Sequence, residues 1–170
     1  MLQRSQAAHR RAAVFRDLPV GHDFEFTGVF VVPEAMTARC VFTTLPHGAA
    51  FAQRMVPALA TGLLVSVVES VCAEAMQERL AADQTLVGSE VEIRHERPAL
   101  PGSTLTLRGS ARVQSATATS FEVSVEDRFE RIATVRVVMC AVAAPRFEAS
   151  LERKAALLAA VDARERAANC

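Results

Sequence analysis

Ala60-Thr61-Gly62-Leu63-Leu64-Val65-Ser66-Val67-Val68-Glu69-Ser70-Val71-Cys72-Ala73-Glu74-Ala75-Met76 decides the fold of this chain. The run is too long for one strand, and the residues after it continue a helical pattern, which predicts a helix over 61–81 of about five turns. Thr61 and Gly62 supply start signals, and Glu78-Arg79 stands near the end. At about 100° per residue, Ser70, Glu74, Gln77, Glu78 and Ala81 fall on one stripe, the expected solvated face. Glu69 lies about 140° from Glu74, on a face with Gly62, Val65, Ser66, Cys72, Ala73 and Met76. A carboxylate among apolar side chains costs several kcal/mol unless it reaches water, finds a partner or takes up a proton. Two readings follow: a rim carboxylate, wet or paired with Arg97 or Arg136, or a group kept for chemistry.

Upstream, Phe24-Glu25-Phe26-Thr27-Gly28-Val29-Phe30-Val31-Val32 reads as a strand that Pro33 ends. A loop-rich stretch containing Pro46-His47-Gly48 and Pro57 follows it. Downstream come four segments with apolar residues at period two, the mark of half-buried antiparallel strands. In the first, Val87, Ser89, Val91, Ile93 and His95 share one face, and Gly88, Glu90, Glu92, Arg94 and Glu96 the other. His95 therefore points with the apolar residues. The turn Pro98-Ala99-Leu100-Pro101-Gly102 leads to a strand with Leu105, Leu107, Gly109, Ala111 and Val113 inward. Residues 119–127 repeat the pattern through Phe121, Val123 and Val125, and residues 131–142 are apolar on both faces except at Thr134 and Arg136, as in a central or covered strand. The architecture is α+β: a long central helix against a curved antiparallel sheet, with an Ala-rich helix over 147–170 that caps the sheet, extends a subunit contact or stays solvated.

Bulk properties remove other classes. At 170 residues and 51% hydrophobic, the chain suits one compact domain, over 18–146. Nineteen basic and nineteen acidic residues give a net charge of zero, so no basic field exists to hold nucleic acid. There is no Trp and no Tyr, which removes a tyrosine acid and most platforms for stacking bases. Cys40, Cys72, Cys140 and Cys170 form no CxxC pair and no metal-ligand spacing with the four histidines, which predicts a reduced, cytoplasmic protein without metal. Glu69 and Glu74 interrupt the longest apolar run before it reaches membrane-spanning length, so no membrane is expected. Arg4, Arg10, Arg11 and Arg16, with no acid among the first sixteen residues, suggest a flexible basic arm over 1–17.

Ala60-Thr61-Gly62 through Glu69-Ser70-Val71-Cys72 to Gly88 and His95, then Pro101-Gly102-Ser103-Thr104-Leu105, resembles the hotdog-fold thioesterases of the fluoroacetyl-CoA type. The resemblance runs over about residues 20–148 and takes in Val20-Gly21, Val31-Val32-Pro33 and Phe51-Ala52. It implies a homodimer, or a dimer of such dimers, with sites at the subunit interface. It also implies hydrolysis of an acyl-CoA with no cofactor other than the CoA of the substrate. Thr61, Glu69 and His95 match the catalytic Thr, Glu and His, and Gly88 matches a glycine beside the acyl end. Gly62 extends the substrate-binding helix start, and Met55 stands where the fluoroacetyl-specific enzyme has an aromatic gate, so the substrate class implied is a short- to medium-chain acyl-CoA, substituted or not.

The residues also carry plainer readings. Thr61 suits a helix N-cap, worth about 1 kcal/mol. Gly88 suits a bulge or a close-packing point, and a lone His on a strand face is more often core. A carboxylate meeting the His95 imidazole would orient it and raise its pKa. Eight residues of continuous helix set Thr61 and Glu69 about 12 Å apart along the axis, so either the helix start bends or two subunits combine in each site. The alternatives are a non-catalytic hotdog module binding acyl-CoA or acyl carrier protein, and a hotdog hydratase or dehydratase. The hydratase needs an Asp with a His near the helix start, yet no Asp lies between Asp23 and Asp83, although His47 is present.

Overall fold

The computed structural model describes Phe15 and residues 18–168. Five strands, β1 (Asp23–Val31), β2 (Gln84–His95), β3 (Thr104–Val113), β4 (Ala118–Glu126) and β5 (Arg131–Ala143), form one antiparallel sheet in the order β1-β3-β4-β5-β2. The helices are α1 (Ala38–Thr44), α2 (Ala49–Ala52), α3 (Thr61–Met76) and α4 (Ala144–Ala168). The sheet lays its inner face on α3. Leu64, Val67, Val68, Cys72 and Met76 of the helix are buried against Leu105, Leu107, Phe121, Val125, Ala133, Val135 and Val137 of the strands. Burying these side chains contributes about 1.5–3 kcal/mol each for the larger ones.

One approach is unusually close. Gly28 on β1 faces Val71 of α3, and a Cβ there would come within 3.0 Å of Val71 Cγ2. The absent side chain lets helix and strand meet at that point.

The helix is shorter than the sequence pattern suggests: α3 ends at Met76 and one tight turn, Gln77–Arg79, closes it, leaving Ala81 outside. Ser70, Glu74, Gln77 and Glu78 are exposed as expected. The stretch read as loop contains α1 and α2, which have no long apolar period to betray them. Thr37 caps α1, its hydroxyl accepting from the Cys40 amide at 3.3 Å. A backbone lattice stitches the approach to α3: Ala38 N–H to Ala58 O, Ala60 N–H to Met36 O and Leu59 N–H to Ala99 O, at 2.8–2.9 Å.

β2 departs from the expected faces. The pairing with β5 slips between Gly88 and Glu90, leaving Ser89 without a partner, so residues on the two sides of this bulge are out of step. Gly88 stands opposite the buried Met139 and faces α3, whereas Val87 stands opposite Cys140 on the outer face. The sequence pattern assigned these two residues the reverse. Beyond the bulge, Val91, Ile93 and His95 face inward, opposite Val137, Val135 and Ala133.

The terminal segments also differ from expectation. Phe15 is buried in the core; the rest of the arm expected over 1–17, residues 1–14, 16 and 17, lies outside the described residues. The tail helix begins at Ala144, where Pro145 takes an early helical position. It leaves the sheet, and Leu151, Leu157, Leu158 and Val161 on it are exposed. No helix among the described residues is long and apolar enough to cross a membrane.

Candidate active site

Thr61 is the first residue of α3, but it does not cap the helix. The cap position is Ala60, which has no side chain to bond the first turn. The Thr61 hydroxyl instead lies 2.9 Å from Nδ1 of His95, the last residue of β2. Leu64 N–H makes the first helical bond, to Ala60 O, so the amides of Thr61, Gly62 and Leu63 precede it. Gly62 is exposed, and a Cβ there would meet nothing within 4 Å. The positive end of the helix dipole, the hydroxyl and the imidazole thus converge.

His95 is half-buried, and its Nε2 is fully enclosed with no hydrogen-bond partner among the described residues. Burial lowers its pKa, with an opposing contribution from the backbone at Arg97. Its neutral form therefore prevails at neutral pH, and the Thr61 O–H can donate to Nδ1 when the ring hydrogen sits on Nε2.

Glu69 lies two turns further along α3, half-buried, on the same chain's Gly88. A Cβ at Gly88 would collide with Glu69 Oε1 and approach Cδ to 3.2 Å. The glycine is the seat of the carboxylate. Neither arginine suggested as a partner reaches it: Arg97 pairs with Glu130 at 3.0 Å, and Arg136 is exposed on the outer face, opposite Glu92. No hydrogen bond joins Glu69 to His95 within the chain, and the imidazole pKa falls where a carboxylate neighbour would have raised it. Below Glu69, burial and then the carboxylate's charge push the Cys72 thiol up to about 12, so it stays protonated and inert.

The chain therefore holds two separate groups of candidate residues, Thr61 with His95 and Glu69 with Gly88, about 12 Å apart along a continuous helix. The pairing of Thr61 with His95 escaped the sequence reading, because strand period locates a face and not a partner. Met55, at the end of the turn after α2, is half-buried, and its carbonyl accepts from Arg39 Nε at 3.3 Å. His47 is exposed. A broad cavity of about 630 Å³ lies on the outer face of the sheet, lined by Glu25, Glu92, Arg94, Arg108, Glu122 and Arg136 among others. None of Thr61, Glu69 and His95 borders it. Among the described residues no cluster of His, Cys, Asp and Glu could hold a metal ion.

Comparison with known proteins bears on the family and the fold. A family profile described as fluoroacetyl-CoA-specific thioesterase matches residues 44–144. A fluoroacetyl-CoA thioesterase of Streptantibioticus cattleyicolor is 27% identical over 129 residues, 76% of this chain and 90% of that protein. A solved structure of a fluoroacetyl-CoA thioesterase superposes with a TM-score of 0.71 at 26% identity, covering 81% of this chain and 97% of the other. A variant of such an enzyme in complex with fluoroacetate and CoA gives 0.67 at 27%, over 76% and 99%. A thioesterase superfamily member from Thermus thermophilus, 22% identical with a TM-score of 0.68 over 85% and 98%, shares the fold, which is the hotdog fold.

Proposed function

The chain belongs to the fluoroacetyl-CoA-specific thioesterase family, and we propose that it hydrolyses a short- to medium-chain acyl-CoA, substituted or not, at a site completed by a second copy of itself. It is a thioester hydrolase; the residue roles and the two-chain site are the proposed parts. The observation that carries them is the Thr61–His95 hydrogen bond at the open start of α3. The imidazole keeps this bond while its enclosed Nε2 has no hydrogen-bond partner among the described residues, a cost to stability that packing alone does not explain.

The thioester carbonyl sits at the helix start, its oxygen receiving the Thr61 hydroxyl and the amides near Gly62. Glu69 of the second copy removes a proton from water, whose oxygen attacks the carbonyl carbon. The electron pair moves to the carbonyl oxygen, where these donors and the helix dipole hold the charge. Collapse breaks the C–S bond, and the CoA sulfur leaves as a thiolate and takes up a proton. With its ring hydrogen on Nδ1, His95 donates to the Thr61 oxygen and leaves the threonine O–H to donate to the carbonyl oxygen, while Nε2 faces the enclosed side. Direct attack by Glu69, giving a transient anhydride that water then opens, uses the same geometry. Met55, a flexible apolar side chain that precedes the start of α3 in the chain, would shape the acyl pocket without the selectivity of a rigid ring.

A single chain cannot bring its own Glu69 to its own Thr61 across about 12 Å of helix. Thr61, Gly62 and Ser66 are exposed in the single chain, which leaves that helix edge open to a partner. Release of free thiol from a panel of acyl-CoA esters tests the reading. Thr61→Ala, Glu69→Gln and His95→Ala should each lose about 10²–10⁴ in kcat, the usual range for a positioned proton-transfer group. Wild-type turnover in Glu69→Gln and His95→Ala would remove the assignment, and tight binding without turnover across the panel would turn the protein into a binding module.

A further inference from the structure

We infer that Ser89 is a positioning residue of this site: its hydroxyl holds the one-residue bulge that turns Gly88 and His95 to the same face of β2. The inference rests on the reading of Thr61, Glu69 and His95 as the thioesterase groups. Gly88 and His95 are an odd number of positions apart, and in a regular strand such residues point to opposite faces. Both must nevertheless face α3, one to seat Glu69 and the other to bond Thr61. The slip at Ser89 resolves the conflict, since it adds one residue to β2 between the Gly88–Met139 and Glu90–Val138 pairs.

The side chain of Ser89 stabilises that slip. Its hydroxyl donates to Val138 O at 3.1 Å and accepts from the Cys140 thiol at 3.7 Å. An extra residue in a ladder leaves backbone groups without their regular partners, and the hydroxyl supplies one at the point where the register changes. β2 is an edge strand of the sheet, so within the chain only its pairing with β5 fixes its register. A bulge that merely blunted the sheet edge would serve anywhere along β2. This one falls inside the interval from Gly88 to His95.

Steady-state thiol release and thermal midpoints for Ser89→Ala, Ser89→Thr and a deletion of Ser89 test the inference, with Glu69→Gln as reference. Ser89→Ala should lower kcat about tenfold while KM stays within about twofold, because a small displacement of catalytic groups slows the reaction more than it weakens binding. Ser89→Thr, which keeps the hydroxyl, should restore kcat to within about twofold of wild type. Deleting Ser89 should abolish turnover in whatever protein folds, because it turns either Gly88 or His95 outward; if that variant does not fold, the Ala and Thr pair still decides. Full kcat in Ser89→Ala, equal impairment in Ala and Thr, or a loss explained by the unfolded fraction would overturn the role of Ser89. Those results beside an inactive Glu69→Gln would remove Ser89 alone, whereas a fully active Glu69→Gln would remove the site reading on which it rests.

Discussion

Glu69 keeps its place because Gly88 gives it room. Gly88→Ala would drive a methyl group into the carboxylate, forcing it aside or displacing the strand. Activity should fall about a hundredfold, the scale of a misplacement near 1 Å, with a stability loss of about 1–3 kcal/mol from overpacking. Both are read from kcat and a urea midpoint, and wild-type turnover would show that the seat has no role. His95 carries a second prediction, this one in pH. Its pKa lies below the ordinary 6.5, so the neutral ring persists below that pH and the acid limb of kcat/KM should fall below 6.5 as well. Between the two values the unfolded chain binds more protons than the folded one. The contribution of His95 to stability is therefore intact above pH 6.5 and lost as pH falls through the folded value. Urea midpoints measured across that range should decline with acid, and should do so less in His95→Asn.

Among the elements, the contact between β1 and α3 is fixed by one missing side chain. Gly28→Ala should cost about 1–3 kcal/mol through collision with Val71, and Val71→Ala in the same protein should recover part of that loss. Additive losses in the double variant, seen in denaturant midpoints, would show that the two do not share the space. How much of an element can be read from sequence depends on where its shape is decided. The start of α3 at Thr61 and the strand character of β3, β4 and β5 follow from local periodicity, and the structure has them nearly as expected. The end of α3 does not, since the polar residues Gln77–Arg79 suit an α-turn and a tight turn equally. Gly88 was assigned the wrong face because the slip at Ser89 depends on Val138 and Cys140, residues far along the chain. Thr61, Glu69 and His95 were each visible as polar exceptions, but their pairing is a tertiary fact. The anomaly that marks a residue does not name the group it meets.

For the whole molecule, the proposed division of the site between two copies has a direct test. Thr61→Ala and Glu69→Gln subunits, each inactive alone, should regain activity when unfolded together and refolded. A statistical mixture with two-fold symmetry contains intact sites at about a quarter of the wild-type number. No recovery would mean that each site is built from one chain. α4 stands apart from this machinery: the family profile ends at residue 144, where the helix begins, and its apolar side chains lie in the open. The strand order has a consequence for the time course of folding. β3, β4 and β5 follow one another in sequence and pair as neighbours, so their contacts close short loops and form early. β2 joins β5 only across the intervening β3 and β4, a longer closure with a greater entropic cost. Gly88 and His95 both ride on β2, so the β3-β4-β5 meander forms before either of these residues reaches its place, and β1, which pairs with β3 across a still longer span of chain, is the last strand to dock.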